Sequence, residues 1–385
     1  MAFPLPIPAA VRRAVPPGTP VVLGVSGGVD SAVALAVLRE LRADVQAVTL
    51  KNYCSQDGPF GGPDDRSCCS LAAIARARRL AADCGVPHLV SDVAPAFRRR
   101  VIDPFLADYA AGCTPNPCVD CNRAVRFPRL LEIADRLGAE ALVATGHYAR
   151  VVTEGGETAL WRGVDAVKDQ SYFLYALPPS LLRRTVFPLG WWTKAQVKRA
   201  ARELGLAAAD RPESQDVCFV PPAGREALFA PGAVRPGPIV DLAGRVLGRH
   251  RGLVHYTVGQ RRGLGLGGGP RRYVVALDPA RNAVVVGPRA ALAVRRVVCR
   301  DLRPAPADWA EAGPAAGLTA RVRYRQRGVP VAAWRRSGDR LELELAEPVT
   351  GVAPGQSCVL DRGGRIVGGG VITAAGAAPA GKETA

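Results

Sequence analysis

The chain has 385 residues, 48% of them hydrophobic, with 51 Lys and Arg against 34 Asp and Glu and a formal net charge of +17. That length exceeds one ordinary core and predicts two or three domains, while the basic excess points to a polyanionic partner, nucleic acid first. No apolar run nears the roughly 20 residues a membrane helix needs, the Pro-rich Met1–Pro20 lacks the apolar core of a secretory signal, and ten cysteines without an export signal fit a reducing cytoplasm.

After a loose start over residues 1–20, the stretch 21–210 alternates short apolar runs with longer amphipathic ones. Val21-Val22-Leu23 is followed by Gly24-Val25-Ser26-Gly27-Gly28-Val29-Asp30-Ser31 and then by the helix-like Ala32–Leu38. Strand, glycine loop and helix N-terminus make a phosphate cradle: glycines let the backbone approach an anion, and the N–H groups of the first helical turn point at it. No Gly-Lys-Ser/Thr follows, so this is not the Lys-containing P-loop. Val45–Leu50 and Ala141–Thr145 read as buried strands. Leu71–Ala82 and Thr193–Leu204 have helical spacing, the latter with Thr193 as N-cap and Gly205 as its end. Arg98–Ala110 reads as a helix with Pro104 as a break or kink. Strands alternating with helices predict an α/β fold, a doubly wound parallel sheet whose ligand lies beyond the strands' carboxyl ends.

The character changes after Asp210. Pro221–Pro238 reads as a connector, and 239–287 as a small mixed or β domain around the glycine-dense Gly263–Gly269, with strands at Tyr273–Leu277 and Val284–Val286. Strands are expected at Val297–Cys299, Thr319–Tyr324, Val331–Trp334, Leu341–Leu345, Ser357–Leu360 and Val367–Ile372. Turns at Ser337-Gly338-Asp339 and Arg362-Gly363-Gly364 separate some of them, a pattern that suggests a small C-terminal β-barrel. Ala374–Ala385 is expected to fray. The domain reading is an N-terminal extension at 1–20, a catalytic domain at 21–210, a central domain at 211–288, a barrel at 289–375 and a tail at 376–385.

The second chemical signal is Cys113-Thr114-Pro115-Asn116-Pro117-Cys118-Val119-Asp120-Cys121-Asn122. Its two prolines suggest an extended, rigid backbone, and Cys118 and Cys121 form a C-x-x-C suited to a redox pair, half a metal site or a sulfur-carrying thiolate. A further cysteine follows in Glu213-Ser214-Gln215-Asp216-Val217-Cys218-Phe219. No second C-x-x-C pairs with the first, which disfavours a four-cysteine zinc site.

With Thr145-Gly146-His147-Tyr148, Lys168–Leu174, Tyr256–Gly265, Arg323-Tyr324-Arg325-Gln326 and Pro354-Gly355-Gln356-Ser357, the chain resembles the tRNA-specific 2-thiouridylases from about Val21 to Ile372. The resemblance implies an ATP-pyrophosphatase domain followed by central and barrel domains that grip tRNA. It implies that Gly24, Val25, Ser26, Gly27, Gly28, Val29, Asp30 and Ser31, with Leu50 and Gly146, bind ATP together with Mg2+. Cys121 matches the nucleophile and Cys218 the persulfide-bearing cysteine, the two pairing as a disulfide to finish the step. Asn116, Pro117 and Cys118 match the segment that meets the target base, and His147, Lys168, Asp169, Gln170, Arg323, Tyr324 and Gln356 match tRNA-contacting positions. The implied partners are the tRNAs for Lys, Glu and Gln and a sulfur-donor protein, with the enzyme a cytoplasmic monomer. Many members carry Asp where this chain has Cys118. That extra thiol opens a second route, a 4Fe–4S cluster held by Cys118, Cys121 and Cys218 with one iron open to bind sulfide.

The other candidates have plainer readings. Cys54, Cys68 and Cys69 lie in a Gly/Asp-rich loop of poor chelating geometry, and Cys113 reads as a loop thiol. Cys84, Cys299 and Cys358 read as buried small hydrophobes. His88, His250 and His255 show no ligand spacing. Arg98-Arg99-Arg100 reads as a solvated helix face that would also suit a tRNA backbone, and Trp191-Trp192 as packing. Two other functions compete: a pyrophosphate-loop ligase using ammonia or aspartate, which requires neither the cysteine set nor basic β domains, and a non-enzymatic RNA-binding protein, which leaves the intact Gly24–Ser31 loop unexplained.

Overall fold

The computed structural model describes residues 3–53, 70–209, 217–267, 269–304, 313–314 and 317–376. Cys54, Cys68, Cys69 and 213–216, discussed above, lie outside the described residues. The chain forms two compact units, one of Met1–Ile102, Cys118–Val220 and Gly364–Ile366, the other of Asp103–Pro117, Pro221–Gly363 and Val367–Ala385.

In the first unit α1 (Ala9–Ala14) precedes β1 (Pro20–Gly24), α2 (Val29–Glu40), β2 (Asp44–Lys51), α3 (Leu71–Asp83) and β3 (His88–Asp92). The N-terminal stretch is not loose: Leu5, Ile7, Val11 and Val15 are buried in the same core as Val33, Leu38, Val186 and Trp192. Its apolar residues sit among prolines without a clear period, which hides the burial from a pattern reading. Ser70 caps α3 by accepting the Ala73 N–H at 3.1 Å.

Two π-helical turns interrupt the helices that follow. Arg98–Ile102 lies between α4 (Ala94–Phe97) and α5 (Asp103–Ala110), and Asn122–Arg126 between α6 (Pro117–Cys121) and α7 (Phe127–Asp135). Each ends two residues before a proline, Pro104 and Pro128. A proline has no N–H for the carbonyl four residues back and its ring crowds that carbonyl, so widening the turn relieves the clash without ending the helix. The distortion expected at Pro104 therefore falls in the turn before it.

The C-x-x-C segment also differs from expectation. Pro117 begins α6, at the position where a missing N–H costs nothing and a fixed φ suits the helix. Cys118 to Cys121 thus occupy helix rather than extended chain.

The unit continues through β4 (Leu142–Thr145), the hairpin β5 (Ala149–Glu154) and β6 (Glu157–Arg162), α8 (Pro179–Leu182), β7 (Thr185–Val186) and α9 (Lys194–Glu203). The main sheet is parallel, in the order β3-β2-β1-β4-β7. Strand order reverses between β1 and β4, which ends at Gly24 and Thr145 side by side; this is where open α/β sheets bind ligands. Thr193 caps α9 in a reciprocal box with Gln196, as its sequence predicts.

In the second unit β8 (Gly237–Val240), β9 (Val246–His250), β10 (Tyr273–Asp278) and β11 (Ala283–Gly287) form a sheet in the order β10-β11-β8-β9. Ile239, Tyr256, Val274, Val284 and Val286 are its core. The stretch read as a connector carries a 3-10 turn at Arg225–Leu228 and the start of β8.

The remaining strands are β12 (Val294–Arg303), β13 (Gly313–Pro314), β14 (Leu318–Arg321), β15 (Val329–Ser337), β16 (Arg340–Val349), β17 (Ser357–Arg362) and β18 (Arg365–Gly376). They run β12-β16-β15-β14-β17-β18, and β18 pairs back onto β12, closing a six-stranded barrel with β13 beside β15. Closure removes the edges a small sheet would expose. Ala374–Gly376, expected to fray, complete that closure opposite Val298–Arg296. The strand expected to reach Tyr324 stops at Arg321, because Arg325 takes a φ of +64° in a turn. Cys299 and Cys358 are buried in the barrel core, while Cys84 in the first unit is half-buried.

Candidate active site

A cavity of about 200 Å³ opens at the switch point of the parallel sheet. Gly24, Val25, Ser26, Asp30 and Ser31 line it from the glycine loop, Val48, Thr49, Leu50 and Asn52 from β2 and its end, Arg126 and Leu130 from the helices, and Thr145, Gly146, His147 and Gln170 from beyond β4. Seven of the ten residues expected to bind ATP are therefore brought together. The other three build the loop: Gly28 is the N-cap of α2, Val29 is buried, and Gly27 has φ +72° with no room for a Cβ, which would lie 2.9 Å from the Ala73 carbonyl oxygen.

The loop is held by its own hydrogen bonds. Ser31 Oγ donates to the Gly28 carbonyl at 2.9 Å and accepts the Ser26 N–H at 3.3 Å. Val25 N–H donates to Val48 O, and Thr49 Oγ1 donates to Val25 O at 2.9 Å. With its proton so used, Thr49 Oγ1 accepts from His88 Nε2 at 2.8 Å. Gly146 is required by proximity, since a Cβ there would lie 2.9 Å from the Asp30 carbonyl carbon.

Asp30 projects from the first turn of α2 into the cavity and is fixed from two sides. The Tyr148 hydroxyl donates to Oδ1 at 2.8 Å, and Lys194 Nζ donates to Oδ1 at 2.6 Å and Oδ2 at 2.8 Å. Lys194 is only 7% exposed, and its ammonium also lies over the Tyr148 ring. Sequence reading gave Tyr148 only as the last residue of a motif, with no role, and did not name Lys194. The Thr193 cap was legible, but nothing in the sequence says that the next residue crosses to a loop 164 positions earlier.

His147 is half-buried and lines the cavity. Its Nδ1 meets Thr145 Oγ1 at 2.7 Å, its Nε2 meets Arg126 Nη1 at 3.5 Å, and Phe127 and Phe187 flank the ring. An arginine only donates, so Nε2 is the acceptor and Nδ1 carries the proton. Burial first, and the Arg126 charge second, push its pKa down to about 3, so the ring is neutral at physiological pH.

Arg126 ties the cavity to the cysteine helix. Its Nη1 donates to Asn122 Oδ1 at 2.6 Å, and Asn122 Nδ2 donates to the Phe173 carbonyl at 3.0 Å. Both residues belong to the π-helical turn that follows Cys121, an irregularity of the kind that recurs at functional sites. The sequence signal was available: Asn122 and Arg126 are four residues apart, beside the C-x-x-C and before Pro128.

The cysteines themselves are not gathered. Cys118 is exposed, Cys121 is buried and Cys218 is exposed beside Phe219, which anchors the segment against Phe97. Among the described residues no three His, Cys, Asp or Glu side chains come together to hold a metal ion, so Cys118, Cys121 and Cys218 do not form a cluster site. Cys113 is half-buried, and burial with the nearby Asp108 charge raises its thiol pKa.

The expected tRNA-contacting residues fall into two kinds. Asp169 is 3% exposed and accepts from the Gly163 and Ser171 N–H groups, the Ser171 hydroxyl and Arg162. Gln170 accepts the Tyr148 N–H and donates its own N–H to Tyr148 O. These two shape the loop that carries Lys168. In the second unit Arg323 is exposed and Tyr324 half-exposed. Gln356 turns inward, donating to Thr114 O at 2.7 Å, while the Thr114 N–H donates to Pro354 O. The segment of Asn116 and Pro117 is thereby anchored to the barrel.

A parallel sheet with a glycine-serine loop at its switch point and no P-loop lysine defines a nucleotide-binding α/β domain of the pyrophosphate-loop kind. Comparison with known proteins then gives the family. Residues 19–222 match the "tRNA methyl transferase HUP domain" family, 228–288 the "tRNA methyl transferase PRC-barrel domain" and 301–372 the "Aminomethyltransferase beta-barrel domain". A protein of Chloroflexus aurantiacus named tRNA-specific 2-thiouridylase MnmA is 48% identical over 359 residues, covering 91% of this chain and 98% of its own length. One of the same name from Methylorubrum extorquens is 47% identical over 386 residues, covering 96% and 97%. Among solved structures, "U34-tRNA thiolase NcsA from Methanococcus maripaludis with its [4Fe-4S] cluster" covers 55% of this chain and 67% of its own at 17% identity and a TM-score of 0.32, too distant to argue from. The chain belongs to the tRNA-specific 2-thiouridylase family.

Proposed function

We propose that this protein is an ATP-dependent tRNA uridine 2-sulfurtransferase that acts on the wobble uridine of tRNAs for Lys, Glu and Gln in the cytoplasm, as a monomer. The observation that carries the reading is the cavity at the switch point, built from the glycine loop and joined through Arg126 and Asn122 to the helix of Cys118 and Cys121.

The cavity takes ATP with its phosphates on the N–H groups of the α2 N-terminus. Among the described residues Asp30 is the one carboxylate in its lining, which suits a Mg2+ carried in by the nucleotide: that ion binds through one or two carboxylates plus phosphates. The ion would help neutralise the phosphates. Uridine O2 attacks the α-phosphorus and pyrophosphate leaves, which turns a poor leaving group into AMP. The neutral His147 and cationic Arg126 face this chemistry and supply a fixed positive field without a titrating group near pH 7.

A donor protein loads Cys218 with a persulfide. The terminal sulfur attacks C2 and AMP departs; the Cys121 thiolate then attacks Cys218 Sγ, leaving sulfur on the base and a Cys121–Cys218 disulfide that an external thiol reduces. Asn116, Pro117 and Cys118 lie against the target base, and Lys168, Arg323 and Tyr324 hold the tRNA. No step is routed through an iron–sulfur cluster, since the persulfide route needs only Cys121 and Cys218.

The test is reconstitution with ATP, a persulfide donor and unmodified tRNA, read by nucleoside mass spectrometry. 2-Thiouridine with one pyrophosphate released per sulfur inserted is expected. Pyrophosphate release with a small amine and no tRNA would instead make the protein a ligase.

A further inference from the structure

The Asp30–Lys194 pair has a geometry that invites a specific role. Asp30 is among the described residues that line the cavity and Lys194 is not; the ammonium engages both carboxylate oxygens, at 2.6 and 2.8 Å. Burying an ammonium is costly unless it is paired, and a lysine 7% exposed at the first position of a helix is an unfavourable place for a positive charge. The charge is nevertheless kept there, and the helix start is tied down as well: the Lys194 N–H donates at 2.8 Å to Asp165 Oδ2, while Oδ1 of the same carboxylate accepts the Val167 and Lys168 N–H groups.

We propose that Lys194 is a positioning residue that serves as the resident counter-ion of Asp30, keeping this cavity-lining carboxylate neutralised and oriented until a nucleotide-borne divalent cation shares its oxygens. An uncompensated carboxylate at the N-terminus of α2 would repel a triphosphate. With Lys194 in place the cavity accepts the polyanion whether or not a metal has arrived. The inference rests on reading the cavity as the nucleotide site.

The experiment measures ATP affinity of the full chain by calorimetry in EDTA and in saturating Mg2+, for wild type, Lys194→Met, Lys194→Arg and the double variant Asp30→Asn/Lys194→Met. The readout is the ratio of the two dissociation constants. In Lys194→Met the loss is expected in EDTA, so the ratio rises by about tenfold or more, while Lys194→Arg keeps the wild-type ratio within about twofold. The double variant removes both charges and brings the ratio back to or below the wild-type value. Equal losses in EDTA and Mg2+ for Lys194→Met would make Lys194 a structural support and overturn the proposal, as would no change in either. Should Lys194→Met fold poorly, seen as a lowered melting temperature, the double variant decides: a ratio still raised overturns the proposal. Failure of the wild type to bind ATP in both media would overturn the nucleotide reading itself, a distinct result.

Discussion

The nucleotide cavity and the cysteines are built to different standards. In the cavity every element is pinned: Ser31 bonds its own loop, Thr49 holds Val25, and Asp30 is fixed by Tyr148 and Lys194. The cysteines lie instead on a short helix and a turn, two exposed and one buried, and do not converge. A site that must stabilise charge gains from being rigid before its ligand arrives. Under the proposed function, one that receives a sulfur from another protein and passes it to an RNA gains from thiols within reach. The contrast suggests that activation is preorganised here and that sulfur transfer is assembled on the substrate.

The sharpest break is Cys121→Ser. Thiolation is expected to vanish while ATP affinity and tRNA affinity stay within about twofold, because the change swaps one sulfur for oxygen on a buried side chain; product at the wild-type rate would remove Cys121 from the chemistry. The reciprocal change is Gly146→Ala, whose Cβ would press on the Asp30 backbone. ATP affinity should fall on the order of tenfold, about 1.4 kcal/mol, with the alkylation rates of Cys118 and Cys218 unchanged. Those rates are themselves a test. In the wild type, iodoacetamide followed by peptide mass spectrometry should label exposed Cys118 and Cys218 well before Cys121, by roughly tenfold or more. Equal labelling of all three would mean that the helix opens freely.

His147 gives a pH signature to the rigid region. Its folded pKa of about 3 lies below the unfolded value, so between those two the unfolded chain binds the extra proton. Stability is therefore full above about pH 6.5 and declines as pH falls toward 3, by up to about 1.4 kcal/mol per pH unit from this group. Urea unfolding at pH 7 and pH 5 should show His147→Gln losing that part of the slope; an unchanged slope would assign the dependence to other groups. The smallest expected effect is Arg323→Ala. The slope of log affinity for tRNA against log salt should become shallower by roughly one unit or less, measured by filter binding.

How much of this was legible in the sequence depended on how local the cause was. The glycine loop, the Thr193 cap and the Gly338 and Gly363 turns rest on a few adjacent residues, and the structure has them where they were read. The C-x-x-C segment was misread as extended because its prolines were taken as extended-chain markers, when Pro117 is the first residue of a helix. The partners of Asp30 were invisible, since Tyr148 and Lys194 meet it only through the strand order. Asp169 and Gln356 match tRNA-contacting positions, and the sequence does not show that Asp169 also accepts backbone N–H groups or that the Gln356 amide also donates to the Thr114 carbonyl. A sequence motif marks that a polar side chain matters without saying which way it turns.

The packing of the first residues sets an order of events during synthesis. Phe3 lies against Trp192, ring to ring at 5.7 Å, and Val11 and Val15 share a core with Val186 and Val197. At translation rates of about 5–20 residues per second, the ribosome makes those partners on the order of 10–40 s after Phe3. Until then the segment has only the nearer part of its core, Val21, Val33 and Leu38 among it, to pack against. The burial of this segment is thus completed only by strands and helices that follow it in the chain by more than 170 residues, Val186 and Trp192 among them.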